Sequence, residues 1–269
     1  MKYTIGFIGT GNMGGSLATA ATKSVLPEQI ILANQPFEVA RDLADRFGCA
    51  AGDNQTVAQE SRLIFLGVKP HIVGSVLQEL RPVLAARAVP PVLVSMAAGV
   101  TIRQLQEMAG GDYPIIRIMP NTPVSLGAGV ILYERSAAVT DEEFEAFSNA
   151  MSAAGVISHL EESLMDAGSA VSGCSPAFYY LFIDALADGG VACGLSRQDA
   201  LLYAAQTAMG AAKMILTSGK HPDQLKNEVC SPGGSTIQGV RTLEQRAVRA
   251  AAMDAVIAAC EKTAQLGKS

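Results

Sequence analysis

At 269 residues the chain is long enough for ample core, in one large domain or two modest ones, and its net charge of −5 argues against a nucleic-acid partner, which needs a basic face. No lysine–arginine cluster occurs anywhere, and the pI is near 5.3. Aromatics are 5% with no Trp, against 49% apolar residues, much of it Ala, so the core must pack through small residues on closely approaching helices. Met1-Lys2 runs straight into the first strand, which predicts no signal peptide. No uninterrupted apolar run approaches ~20 residues, so no membrane-spanning helix is expected. Cys49, Cys174, Cys193, Cys230 and Cys260 are odd in number and far apart, which predicts reduced thiols in a cytoplasmic protein. His71, His159 and His221 are scattered without paired ligands, so no metal site is expected.

The first element sets the frame. Ile5, Phe7 and Ile8 read as a buried parallel strand, and Gly9-x-Gly11-x-x-Gly14 follows at once. Leu17, Ala18 and Ala21 then recur at helical spacing, so the glycines occupy a strand-to-helix turn, the context a dinucleotide fingerprint requires. Gly9 allows the tight turn, Gly11 lets backbone approach a pyrophosphate, and Gly14 lets helix and strand pack closely. Ile8, Gly9, Thr10, Gly11, Asn12 and Met13 are therefore candidate cofactor contacts, with the phosphates against the free N–H groups of the helix. The alternative is a glycine-rich turn with no ligand. Gln29–Ala33 reads as the second strand, ending at Asn34-Gln35, where an NAD enzyme usually carries Asp or Glu for the ribose 2′-hydroxyl. Asn34 has no charge to repel a 2′-phosphate and its amide can donate to one, so NADPH is the expected cofactor, with NADH tolerated.

Helical spacing resumes from Phe37 to Phe47, and Asn54 opens another short helix. Leu63–Val68 is a buried strand closed by Lys69-Pro70; residues just past a strand's carboxyl end face the ligand crevice in such a sheet. Lys69 is then either a cation beside the cofactor or a solvated loop residue. An amphipathic helix follows (Ile72, Val73, Val76, Leu77, Leu80), then the strand Val92–Met96 with small residues Ala97-Ala98-Gly99 at its end. Ile115–Met119 is another strand, and Pro120-Asn121-Thr122-Pro123 is either a stiff loop presenting two polar side chains to the crevice or a simple turn. Gly129–Tyr133 and Val156–Leu160 add edge strands, and Thr140-Asp-Glu-Glu143 matches a capping box for a helix near 141–151. Beyond Leu160 the strand pattern vanishes. The expected boundary therefore separates an α/β dinucleotide-binding domain, 1–160, from an all-helical domain, 161–269.

In the second half, Ser175-Pro176 reads as an N-cap and first-turn pair launching a helix that Gly194 ends. Ser196-Arg-Gln-Asp199 caps the next, running to about Thr217, and Gly219–Pro222 breaks it. A final helix is expected from about Gln245 to Leu266, with Ala247, Ala250, Ala251, Ala252, Ala255, Ala258 and Ala259 along it. Helices this apolar on several faces need cover on several faces, so a homodimer is expected. Between them, Ser231-Pro-Gly-Gly-Ser-Thr-Ile237 offers bare backbone N–H groups at a helix start, an anion nest suited to a carboxylate with help from the Ser231 hydroxyl. As a plain helix-to-helix turn it would also be ordinary.

These motifs together resemble the pyrroline-5-carboxylate reductase family, nearly end to end. The resemblance rests on Gly6-Phe-Ile-Gly-Thr-Gly-Asn-Met13, Val68-Lys-Pro70, Ala97-Ala-Gly99, Met119-Pro-Asn-Thr-Pro123, Ser172-Gly-Cys-Ser-Pro-Ala177, Asp184-Ala-Leu-Ala-Asp-Gly189 and Ser231-Pro-Gly-Gly-Ser-Thr-Ile237. It implies a Rossmann domain followed by a helical substrate-binding and dimerisation domain. It implies reduction of the cyclic imine 1-pyrroline-5-carboxylate to L-proline, the last step of proline biosynthesis. By the same resemblance Asn34, with Gln35 beside it, Asn54, Val68, Lys69, Pro70, Ala97 and Asn121 line the NADPH site, and Asn121 also borders the substrate. Ser231, Gly233 and Gly234 hold the substrate carboxylate, Thr236 hydrogen-bonds the ring nitrogen, and a two-chain interface completes each active site. Three positions depart from the family pattern: Gln35 stands where many members have a basic residue, Ser218-Gly219 where some carry an acid, and Cys174 where Ser is familiar. Cys230 beside the nest reads as packing. The nearest enzymatic rival, a β-hydroxyacid dehydrogenase, needs a lysine early on the first long helix of the second domain. Ser175–Val191 has none, and Lys213 lies on the next helix. A dinucleotide sensor that had lost catalysis would be expected to lose the nest and Thr236 first, yet both are present.

Overall fold

A computed structural model describes residues 1–266. Eight strands form one sheet: β1 (Tyr3–Ile8), β2 (Ile30–Ala33), β3 (Ala50–Ala51), β4 (Ser61–Leu66), β5 (Val92–Ser95), β6 (Ile115–Pro120), β7 (Gly129–Arg135) and β8 (Gly155–His159). Their order is β3-β2-β1-β4-β5-β6-β7-β8, and only the β6–β7 pairing is antiparallel. Strand order reverses at β1, with β2 on one side and β4 on the other, which is where a doubly wound sheet opens a ligand crevice at its carboxyl edge. The edge strand β3 is a pair of alanines that carries no sequence signature, and β7 lies inside the edge formed by β8.

Helices cover both faces, which is why the central strands are near-continuous apolar runs. Ile30, Leu32, Leu63, Phe65, Val92 and Val94 share one core with α1 (Asn12–Ala21), α2 (Phe37–Phe47) and α6 (Asp141–Ala150). Ile31, Ala33, Ile64, Leu66 and Leu93 share the other with α3 (Asn54–Glu60), α4 (Pro70–Ala85) and α5 (Ile102–Ala109). The expected capping box forms: the Thr140 hydroxyl accepts from Glu143 N–H and Glu143 returns to Thr140 N–H. Thr101 and Gln104 build a second one, which starts α5. That helix had an unread signal in the sequence.

The remaining helices are α7 (Met165–Ser169), α8 (Ser175–Ala192), α9 (Arg197–Ser218), α10 (Pro222–Glu228), α11 (Ser235–Gln245) and α12 (Val248–Leu266). Ser196 caps α9 by accepting from Asp199 N–H, and Gly219 ends it in the left-handed region, as expected. Three expectations need correction. Ser175-Pro176 does not launch a helix: a π-helical segment, Ala170–Cys174, joins α7 to α8, and the helical run from Glu162 to Ala192 is 31 residues long. That run is also long and apolar enough to cross a membrane by length and composition, because no charge lies between Asp166 and Asp184. The last helix starts at Val248 rather than Gln245, because Ala247 takes a φ of +55° and breaks the ladder between α11 and α12.

The left-handed region is unfavourable to any residue with a Cβ by roughly 1–2 kcal/mol. Ala247→Gly is therefore expected to stabilise the protein by about 1 kcal/mol, measured by denaturant unfolding at one fixed protomer concentration.

The chain divides into two compact units, Met1–Cys174 with the chain from Ala259 onward, and Ser175–Ala258. Within Ser175–Ala258 the buried apolar residues, among those described, are Ala187, Ala200 and Ala204. The large apolar side chains lie outside: Leu181 is 75% exposed, Tyr179 63% and Leu216 84%. Large apolar side chains exposed in such number along two helices mark a face that calls for a partner.

Candidate active site

The fingerprint glycines are explained by what surrounds them. Gly9 has a φ of +93°, and a Cβ there would lie 2.7 Å from the carbonyl carbon of Gly67 and 2.8 Å from Val68 N. A Cβ on Gly14 would collide with the Gly9 carbonyl oxygen, so α1 rests directly on the loop backbone. Gly11 differs, because a Cβ there would meet nothing within 4 Å. Protein packing does not require that glycine, and the space above it is open. Gly11 is the N-cap of α1, with no side-chain cap and no acidic residue in the first turn, so the helix start keeps its positive end open through Asn12 and Met13. Thr10 is 4% exposed, and its hydroxyl has no hydrogen-bond partner among the described residues. An orphaned buried hydroxyl beside bare helix N–H groups suits a pyrophosphate, so the residues present fit a dinucleotide.

Asn34 ties the second strand to this loop. Its Oδ1 accepts from Thr10 N–H at 2.9 Å, and its Nδ2 donates to the Pro36 carbonyl at 3.1 Å. A cavity of about 830 Å³ opens beyond it, lined by Asn34, Gln35, Asp53, Asn54, Ile72 and Glu79 among others. Asp53 caps α3 by accepting from Thr56 N–H at 2.7 Å, and that hydrogen bond holds its carboxyl below the ordinary range. The structure thus gathers Asn34, Gln35 and Asn54 around one cavity.

Val68, Lys69, Pro70, Ala97 and Asn121 follow along the carboxyl edge, past β4, β5 and β6. Val68 packs beside the Gly9 turn, Lys69 is the exposed N-cap of α4, and Pro70 is the first residue of that helix. Ala97 is buried, its N–H donating to Ser95 Oγ at 3.3 Å. Asn121, 7% exposed, spends much of its side chain on the protein: Oδ1 accepts from Val130 N–H at 2.8 Å, and Nδ2 donates to the Ser172 carbonyl at 2.9 Å. Pro176 has no N–H to give that carbonyl in a regular helix, so Asn121 satisfies an acceptor that proline leaves free. Thr122 is exposed and opens a short 3₁₀ turn ending at Leu126.

Below this edge lies a cluster that sequence reasoning missed. Arg117 on β6 is 3% exposed, with Nη1 3.1 Å from Glu162 Oε1 and Nη2 3.7 Å from Asp166 Oδ1. Glu162 also accepts from Ile102 N–H at 2.8 Å, at the start of α5. One buried cation thus ties β6, α5 and the start of the long helical run. The only sequence signal was an arginine in an otherwise apolar strand. Cys49, half-buried at the end of α2, has its thiol pushed up to about 11 by burial, which leaves it unreactive at neutral pH.

In the second unit, Gly233 has a φ of +70° and Gly234 is the N-cap of α11, with its N–H donating to the Ser231 carbonyl at 3.0 Å. The turn leaves the first N–H groups of α11 with no side-chain cap and no acidic residue in its first turn. Ser231 and Thr236 are both exposed, so their hydroxyls are accessible at the helix start. Ser231, Gly233, Gly234 and Thr236 are therefore brought together around the uncapped start of α11. Cys230, half-buried, precedes them.

Residues 162–266 match a family model described as pyrroline-5-carboxylate reductase dimerisation, and residues 4–99 match one described as NADP oxidoreductase coenzyme F420-dependent. A pyrroline-5-carboxylate reductase of Glycine max is 42% identical, covering 98% of this chain and 96% of that protein. One of Escherichia coli (strain K12) is 42% identical over the whole of both chains. Among solved structures, a pyrroline carboxylate reductase of Plasmodium falciparum with NADP bound superposes with a TM-score of 0.89 at 33% identity, covering 99% of each chain. With an open fingerprint turn in its first unit, an uncapped helix start after Gly233-Gly234 in its second and this relationship along its full length, the chain belongs to the pyrroline-5-carboxylate reductase family.

Proposed function

We propose that the protein reduces 1-pyrroline-5-carboxylate to L-proline, the closing step of proline biosynthesis. The observation that carries the reading is the nest at the start of α11 in a chain that also holds an open fingerprint turn. Backbone N–H groups around Gly233 and Gly234, with the Ser231 hydroxyl, bind the substrate carboxylate and so orient the ring. Thr236 donates its hydroxyl hydrogen to the imine nitrogen, which makes the neighbouring carbon a better electrophile. A threonine is a poor free acid, so its part is to position that nitrogen and pass a proton from water rather than to ionise.

Gly9, Thr10, Gly11, Asn12 and Met13, with Ile8 behind them, hold the pyrophosphate of the dinucleotide. Asn34, Gln35 and Asn54 receive its adenosine, and Val68, Lys69, Pro70, Ala97 and Asn121 border its nicotinamide half. NADPH serves, and NADH is accepted as well; when bound, either supplies the hydride. Asn121 reaches cofactor and substrate with the amide hydrogen and lone pair that its internal bonds leave over. We assign residues 1–160 to dinucleotide binding and 161–269 to substrate binding and dimerisation.

The exposed apolar faces of α8 and α9 fit a second copy of this chain better than a lipid bilayer. Asp184, Asp188 and Arg197 form ion pairs across those same helices, with Arg197 Nη2 2.5 Å from Asp188 Oδ1, and hydrocarbon would penalise such charges. The acidic chain is then a cytoplasmic homodimer or higher homo-oligomer that binds neither nucleic acid nor membrane.

The test is NADPH oxidation by the purified protein with pyrroline-5-carboxylate, beside NADP⁺ reduction with a small 3-hydroxy acid. Turnover of the imine alone is expected. Turnover of the hydroxy acid alone would move the chain to the β-hydroxyacid dehydrogenases, and silence with both would make it a nucleotide sensor.

A further inference from the structure

We infer that the adenosine end of the cofactor cavity selects against a 2′-phosphate, so that NADH binds more tightly than NADPH; this rests on the cofactor reading above. From Asn34 alone the sequence pointed the other way. The cavity changes the balance, because it brings side chains from three elements to one place. Asn34 and Gln35 come from the end of β2, Asp53 and Asn54 from the start of α3, and Glu79 from the third turn of α4. Among the described residues no lysine or arginine lines it. The next cation along the chain, Arg41, is engaged with Asp42 at 3.1 Å.

A 2′-phosphate carries most of two negative charges and is ordinarily held by an arginine or lysine. Here it would enter a cavity that two carboxylates line and no cation does. Asp53 is kept ionised by its capping hydrogen bond, so it does not relieve the repulsion by taking up a proton near neutral pH. Nor does Asn34 compensate fully, since its oxygen is committed to Thr10 and one amide hydrogen to Pro36. An unphosphorylated ribose hydroxyl has the opposite preference, because it can donate to a carboxylate. Asp53 and Glu79 are both exposed, so the discrimination is modest and screened by salt.

Calorimetric binding of 5′-AMP and 2′,5′-ADP isolates this end of the cofactor, and titration followed by the fluorescence of the reduced nicotinamide in NADH and NADPH tests the whole, since the protein has no Trp. At low salt the wild type is expected to bind the unphosphorylated member of each pair about 3–10-fold more tightly, with the gap closing as salt rises. Gln35→Arg is expected to reverse the order, raising affinity for 2′,5′-ADP by about 10-fold and changing that for 5′-AMP far less. Asp53→Asn keeps an equally good helix cap while removing the charge, and is expected to raise NADPH affinity about 2–5-fold and to weaken NADH slightly, since the ribose hydroxyl loses a charged acceptor. A wild type that binds 2′,5′-ADP more tightly than 5′-AMP overturns the selectivity and leaves the reductase reading intact. So does an arginine at position 35 that changes neither affinity. A folded protein that binds none of the four nucleotides overturns both.

Discussion

Thr236→Ala is expected to lower kcat by about 10–10³-fold while KM changes less, the scale of a single positioned proton donor. Thr236 is the second residue of α11 and is exposed, so removing its hydroxyl opens no cavity and strands no buried partner. The helix does not depend on it for a cap, because Gly234 holds that position. Alanine is also the better helix former, so the variant should fold at least as well. A fall in turnover therefore reports chemistry rather than unfolding. Because the nest still grips the carboxylate, binding should survive when the contact to nitrogen is gone. Steady-state rates with pyrroline-5-carboxylate, beside a circular dichroism spectrum, check this; unchanged turnover in a folded variant would remove Thr236 from the mechanism.

The second large effect is at Gly234→Val, where KM for the imine should rise about 10²-fold. The backbone itself would tolerate valine, since Gly234 has φ −75° and ψ 169°. The obstacle is space: a Cβ there collides with Ser231 Oγ, the hydroxyl assigned to the same carboxylate. The branched side chain would also stand before the first N–H groups of α11. Hydrogen bonds to a charged group are worth about 1.5–3 kcal/mol each, so losing one or two gives the stated change. NADPH affinity measured in parallel should stay constant. A variant that keeps substrate KM would place the carboxylate elsewhere in the protein.

Where backbone geometry is decided by neighbours in the chain, the residues disclosed it. Gly9 and Gly14 could be read from the fingerprint because a tight turn under a helix excludes any side chain there. Thr140 and Glu143 announced α6, and Ser196 announced α9, through hydrogen bonds that span three residues. The same local logic failed at Ser175-Pro176. A proline tolerated at a helix start is tolerated inside one when a distant donor satisfies the carbonyl it leaves free, and Asn121, 51 residues before Ser172, is that donor. Ala247 misled for a related reason, since nothing in an alanine reports the left-handed backbone it adopts.

Three features are legible in the residues alone: a fingerprint turn after the first strand, a bare glycine turn before the last two helices, and apolar faces in the second half that call for cover. Each of these is written in contiguous residues, through backbone sterics or hydrophobic pattern. Other features exist only in the assembled fold: Arg117 anchors Glu162 and Asp166, Asn121 serves Ser172, and Asp53 and Glu79 share a cavity with Gln35. Those are interactions between charges and dipoles far apart in the chain, and their energies depend on distances that exist only once the sheet has been assembled.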